Sequence, residues 1–95
     1  MIKIKDILPQ KEYKIVCIFN TGEKRLLDLK QTLDQNDKYA KKIFNKDVFY
    51  QVKLGEFGEI YWDGIAEIID LDGNPVICEY DISPEFAYNN SIPLS

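Results

Sequence analysis

The chain has 95 residues, 45% hydrophobic and 29% charged, enough for one core and one domain over 1–95. It contains no His, so the commonest general base and the commonest metal ligand are missing together. Twelve basic against sixteen acidic residues give a net charge of −4, the wrong sign for a phosphate-reading surface.

No apolar run nears the roughly 18 residues that cross a bilayer. The opening Met1-Ile2-Lys3-Ile4-Lys5-Asp6 lacks the uninterrupted apolar region of a signal peptide. The expected location is therefore cytoplasmic, with no membrane contact.

Ile2, Ile4 and Leu8 alternate loosely, and Pro9 is expected to end a short strand over 2–8. In 12–19, Tyr13, Ile15, Cys17 and Phe19 share one face. Asn20-Thr21-Gly22-Glu23 supplies the turn, and 24–29 the return strand of a β-hairpin. The period then changes. Leu33, Tyr39, Ala40, Ile43 and Phe44 recur at helical spacing, with Lys38, Lys41, Lys42 and Lys46 opposite them. This predicts a helix over 37–45 started by Asp37, with an irregular turn over 30–36 before it.

Asn45-Lys46-Asp47 is expected to break that helix, Val48-Phe49 to fill the core, and 50–54 to form a strand with Val52 and Leu54 inward. A strand over 59–62 follows the Gly55–Gly58 turn and ends at Asp63-Gly64. In it, Trp62 should be core and Tyr61 should face the other way. Strands 65–71 and 75–80 flank Leu71-Asp72-Gly73-Asn74, a strong hairpin signal. Ser83-Pro84-Glu85 starts a second short helix, with Phe86 and either Ala87 or Tyr88 toward the sheet. Residues 92–95 read as an extended, mobile terminus. The sum is an α+β domain: a small antiparallel sheet of hairpins with two short helices.

Charge is unevenly placed. Residues 1–54 hold 12 bases and 7 acids, a net +5, whereas 55–95 hold 9 acids and no base, a net −9. The simplest expectation is that the two halves pair in the sheet and neutralise each other. The sharper alternative is an acidic surface that faces a partner.

Several segments occur in the order of a known family. They are Phe19-Asn20-Thr21-Gly22-Glu23, Asp28-Leu29, Asp47-Val48-Phe49-Tyr50-Gln51-Val52, Ile60-Tyr61-Trp62-Asp63-Gly64 and Asp81-Ile82-Ser83-Pro84-Glu85-Phe86-Ala87-Tyr88. Through them, nearly the whole chain resembles the small bacterial proteins of the DUF2442 family, which are similar to the NE0471 N-terminal domain. The resemblance implies a small antiparallel α+β fold. It also implies a toxin–antitoxin-like pairing with a small DUF4160-type protein, and it brings no catalytic residue set. Relative to the short family form, 65–80 is an inserted hairpin.

The residues point away from catalysis. Cys17 and Cys78 lie mid-strand with no imidazole to activate them and are expected as small buried side chains, neither disulfide-bonded nor metal-bound. Asp70-Leu71-Asp72-Gly73-Asn74 lacks the ligand series of a calcium loop, and no cofactor motif is present. The expected function is that of a non-catalytic interaction module binding a small protein or a second copy of itself. Its candidate partner residues are Tyr61, Glu67, Asp70, Asp72 and Glu79. The alternative is a nucleic-acid-binding regulator that uses Lys38, Lys41, Lys42 and Lys46.

Overall fold

The structure, a computed structural model, describes residues 1–94. Strands β1 (Ile4–Gln10), β2 (Lys14–Phe19) and β3 (Lys24–Asp28) form an antiparallel meander. A second antiparallel sheet contains β4 (Lys53–Leu54), β5 (Ile60–Ile69) and β6 (Pro75–Ile82), in that order. Three short helices complete the α+β fold: α1 (Leu29–Thr32), α2 (Lys46–Phe49) and α3 (Pro84–Asn89). Among the described residues there are thus two sheets rather than one, and three α-helices rather than two.

β2 has the alternation its residues predict, with Ile15, Cys17 and Phe19 buried. In β1 a bulge between Ile4 and Asp6 shifts the side-chain parity, so Ile4 is buried and Ile7 packs on the core. Leu8 then points outward and is 49% exposed. Pro9 does not end the strand, because β1 lies at a sheet edge where a missing N–H is tolerated.

The helix expected over 37–45 is a single 3₁₀ turn, Ala40–Ile43. Tyr39 takes the cap position of that turn, and Asp37 supports it from just upstream, its carboxylate accepting from the Tyr39 and Ala40 amides at 3.1 and 2.9 Å. Asn45 stops it by capping α2 instead, where its side chain accepts from the Asp47 amide at 3.0 Å. A short polar side chain is better placed at a cap than inside a helix. α1 begins where the β3 strand was expected to continue, because Asp28 caps it. The strand expected over 50–54 contracts to β4, in which Leu54 is exposed.

The segments expected as two strands, 59–62 and 65–71, are one strand, β5. A bulge between Trp62 and Ala66 interrupts it, with Gly64 at φ +71°. The β5–β6 hairpin closes as expected, the Asp70 carboxylate accepting from the Asp72 and Asn74 amides at 2.9 and 2.8 Å.

The sheets meet around Trp62, which is buried and donates from Nε1 to the Phe49 carbonyl at 3.0 Å. They also touch at Gly58, whose carbonyl accepts from the Ile4 amide at 3.0 Å. Gly58 sits at φ +82°, and a Cβ there would lie 2.6 Å from the Lys3 Cβ, so only glycine fits.

α3 has the expected cap: Ser83 Oγ accepts from the Phe86 amide at 3.1 Å, and Pro84 occupies the first turn. Ala87 is buried and Tyr88 packs on the core, but Phe86 turns outward and is 38% exposed. The terminus expected to be mobile contains β7 (Ile92–Pro93), which pairs with β3 at the far edge of the first sheet. Ser95 lies outside the described residues.

Cross-neutralisation is overturned. Residues 4–28 build most of the first sheet, which the uncharged β7 completes, and 60–82 build most of the second, so among the described residues strands of opposite charge pair only at β4. Among the described residues there are two ion pairs, Arg25–Glu23 at 3.4 Å and Lys53–Asp63 at 2.6 Å, and only the latter joins the two halves.

Candidate interaction surface

Beyond the bulge, β5 and β6 continue as a ribbon. Its pairs are Ala66–Cys78, Glu67–Ile77, Ile68–Val76 and Ile69–Pro75. Paired residues share a face. One face, continuous with the Trp62–Tyr80 pair, presents Ile68 and Val76, which are 57% and 41% exposed. The other presents Ile69 and Ile77, which are 65% and 70% exposed, alongside Glu67 and Glu79. Leu71 at the tip is wholly exposed. A ribbon this apolar on both faces is marginally stable in water by itself and gains most from being covered.

The two edges of the ribbon differ. The outer edge of β5 is occupied: Tyr39 donates its hydroxyl to the Glu67 carbonyl at 3.1 Å, and Lys42 Nζ donates to the Ile65 carbonyl at 3.3 Å. β6 pairs only with β5, and among the described residues no strand lies on its other side. Near the inner end of that open edge is a cavity of about 340 Å³. Leu33, Ile82 and Phe86 make its apolar lining and Asp81 its charge. Tyr80 also lines it. Burial pushes the Tyr80 phenol above its ordinary pKa, with the Asp37 and Asp81 carboxylates adding to the rise.

The expected partner residues fall into two groups. Tyr61, Glu67 and Glu79 lie on one face of the second sheet together with Asp81. Asp70 and Asp72 lie at the tip. Asp70 is a turn former there, its carboxylate already holding two amides. Residue patterns alone missed Asp81 and Phe86, which reach the cavity because β6 runs on to Ile82.

The lysines do not share a helix face. Lys38 and Lys42 flank the Tyr39 ring, at 5.4 and 5.8 Å from its centroid, whereas Lys46 belongs to α2. Cys17 is buried, and burial pushes its thiol up to about 12, so it stays protonated at neutral pH. Cys78 is half-buried, and both cysteines are free. The described residues contain no cluster of three or more His, Cys, Asp or Glu that could hold a metal ion. They contain no helix long and apolar enough to cross a membrane. No protein-family model, curated protein or solved structure matches the chain.

Proposed function

We propose that this protein is a non-catalytic interaction module that takes up an extended basic segment of a small partner protein along β6. The observation that carries this reading is the open edge of β6, bordered by exposed Ile77, by Glu79 and Asp81, and by a cavity that Asp81 helps to line. Backbone hydrogen bonds to the edge would provide affinity, and alternate side chains would provide selection. The cavity suits a long basic side chain, its stem along Leu33 and Phe86 and its head at Asp81.

Charge favours a foreign partner over a second copy. If β6 paired with itself in antiparallel register about Glu79, the two Glu79 carboxylates would face each other. Like charges directly opposite destabilise a strand pair. A basic partner meets no such opposition. The DUF2442 resemblance supplies a candidate in a small DUF4160-type protein, with this chain in the antitoxin-like role. The non-catalytic reading is supported by the missing imidazole and the buried, protonated Cys17. Nucleic-acid binding loses its motivating feature once the lysine-bearing helix is reduced to one 3₁₀ turn.

The test is affinity purification of the full chain from its native cell, in parallel with the Ile77→Lys, Glu79→Lys double variant. A stoichiometric basic protein retained by the original chain and lost from the variant supports the proposal. Salt-sensitive retention of nucleic acid by both forms, with no protein recovered, overturns it.

A further inference from the structure

We propose that a second cavity, lined by residues of the basic half of the chain, binds a small organic phosphate carrying a planar aromatic ring, of the nucleoside phosphate class. It begins with a backbone anomaly. Glu12 and Tyr13, in the turn between β1 and β2, both adopt φ +61°. Side chains disfavour this left-handed region, and every other left-handed residue among those described is glycine. The tertiary structure holds the turn in place. Leu29 donates its amide to the Tyr13 carbonyl at 3.0 Å, and the Tyr13 ring meets Phe44 and Phe49 edge-on, each at 5.3 Å. Strain maintained in this way is frequent at binding sites.

The turn contributes Lys11 and Glu12 to a cavity of about 530 Å³. That volume falls inside the roughly 300–1,000 Å³ range of small-ligand pockets. Lys30 from α1 and Lys46 from α2 complete the charged lining, three ammonium groups against one carboxylate in a chain whose net charge is −4. None of the three lysines is ion-paired among the described residues. Lys30 Nζ stands 5.6 Å from the centroid of the Tyr13 ring. The remaining wall is buried Phe49 and Tyr50, whose rings meet edge-on at 5.1 Å, and Tyr50 is 48% exposed.

This lining asks for two things in one ligand. Lysine ammonium groups are mobile point charges suited to phosphate oxygens, and an exposed aromatic ring is a stacking platform for a base. An inorganic anion would leave the aromatic wall uncovered, and a neutral ring would leave the ammonium groups unmatched. A nucleic-acid strand has the same chemistry but needs a basic track leading onward. Asp28 and Asp47, beside α1 and Lys46, oppose one.

The experiment titrates the purified chain with ADP, adenosine, pyrophosphate and a short oligoadenylate, read by amide chemical shifts and calorimetry. ADP should saturate, shift the amides of 11–13 and 46–50, and bind about tenfold or more tighter than adenosine or pyrophosphate. Lys46→Gln and Tyr50→Ala should each weaken ADP about fivefold while keeping the folded circular dichroism spectrum, and Lys41→Gln should leave ADP affinity unchanged. The proposal is overturned by any one of three results: no saturation at millimolar ADP, equal affinity for pyrophosphate and ADP, or oligoadenylate binding that outcompetes ADP and also needs Lys41.

Discussion

The Arg25 guanidinium lies over the Tyr88 ring, 4.3 Å from its centroid, and this stack joins α3 to the β2–β3 hairpin. Arg25 also donates to the Ser91 carbonyl at 2.7 Å and to Ser91 Oγ at 2.9 Å, while the Tyr88 hydroxyl donates to Glu23 at 2.7 Å. The planar fork is what allows one side chain to stack and to hydrogen-bond twice. Arg25→Lys keeps the charge but loses the fork. It should destabilise the protein by about 2 kcal/mol in urea unfolding, from the lost hydrogen bonds and stacking. An unchanged midpoint would remove Arg25 from the account of how the C-terminal segment is held.

The same cluster predicts a pH response. The Tyr88 hydrogen bond, followed by the Thr21 hydroxyl and the Arg25 charge, holds the Glu23 carboxyl below its ordinary range despite an opposing desolvation. That stabilisation is present at neutral pH and is lost as pH falls from the unfolded-state value through the folded one. Tyr88 shifts upward, chiefly through the same hydrogen bond. Its contribution is complete below the ordinary tyrosine pKa and is lost as pH rises through the folded value. In Tyr88→Phe, carbon-detected titration should show Glu23 returning toward the ordinary carboxylate range. A Glu23 titration identical to that of the parent would assign the shift elsewhere.

Trp62 holds the two sheets together through its volume and through one hydrogen bond to the Phe49 carbonyl. Trp62→Phe keeps most of the volume and loses one hydrogen bond, while the Phe49 carbonyl still accepts from the Val52 amide at 3.2 Å, so a loss of about 1 kcal/mol is expected. Trp62→Ala should cost about 4 kcal/mol, because it also opens a cavity. Circular dichroism in urea measures both, since the chain has no other tryptophan to report by fluorescence. Equal losses would mean that packing contributes little here.

Two glycines separate backbone strain from crowding. At Gly64 a Cβ would meet nothing within 4 Å, so Gly64→Ala should cost only the left-handed conformation, about 1 kcal/mol. At Gly58 the same conformation is joined by a backbone clash, the Lys3 Cα lying 2.8 Å from the added Cβ. Gly58→Ala should therefore be clearly the more damaging of the pair in thermal melts. The reverse order would show that the sheets can shift apart at Gly58.

Local chemistry was legible in the residues; long-range closure was not. Alternation in 14–19, the Asp72-Gly73 turn and the Ser83-Pro84 cap each depend on neighbours a few positions apart. The bulge in β1 escaped because one inserted residue reverses parity without a compositional mark. β7 escaped because two residues have no pattern, and Arg25, far away in sequence, helps to hold them through Ser91. The helical spacing of 37–45 was real, but Asn45 serves better as a cap than as an interior residue. On the interaction surface, the face shared by Tyr61, Glu67 and Glu79 follows from strand period. Which edge is open depended on where Tyr39 and Lys42 reach.

The ribbon should behave as the loosest part of the second sheet until it is covered. Ile60, Trp62 and Ile82 are buried, whereas Ile68, Ile69, Val76 and Ile77 in the same two strands are largely exposed. Opening of a strand pair is opposed mainly by the apolar surface it buries, so the outer pairs should open at much lower free energy than the inner ones. Hydrogen exchange of the free chain should show amides of 67–77 exchanging about a hundredfold or more faster than those of 60–62 and 80–82, a difference of roughly 3 kcal/mol. A captured partner strand should protect β6 first, since β6 supplies the open edge. Uniform protection along β5 and β6 in the free chain would mean that the ribbon is self-sufficient, and the energetic reason for a covering strand would disappear.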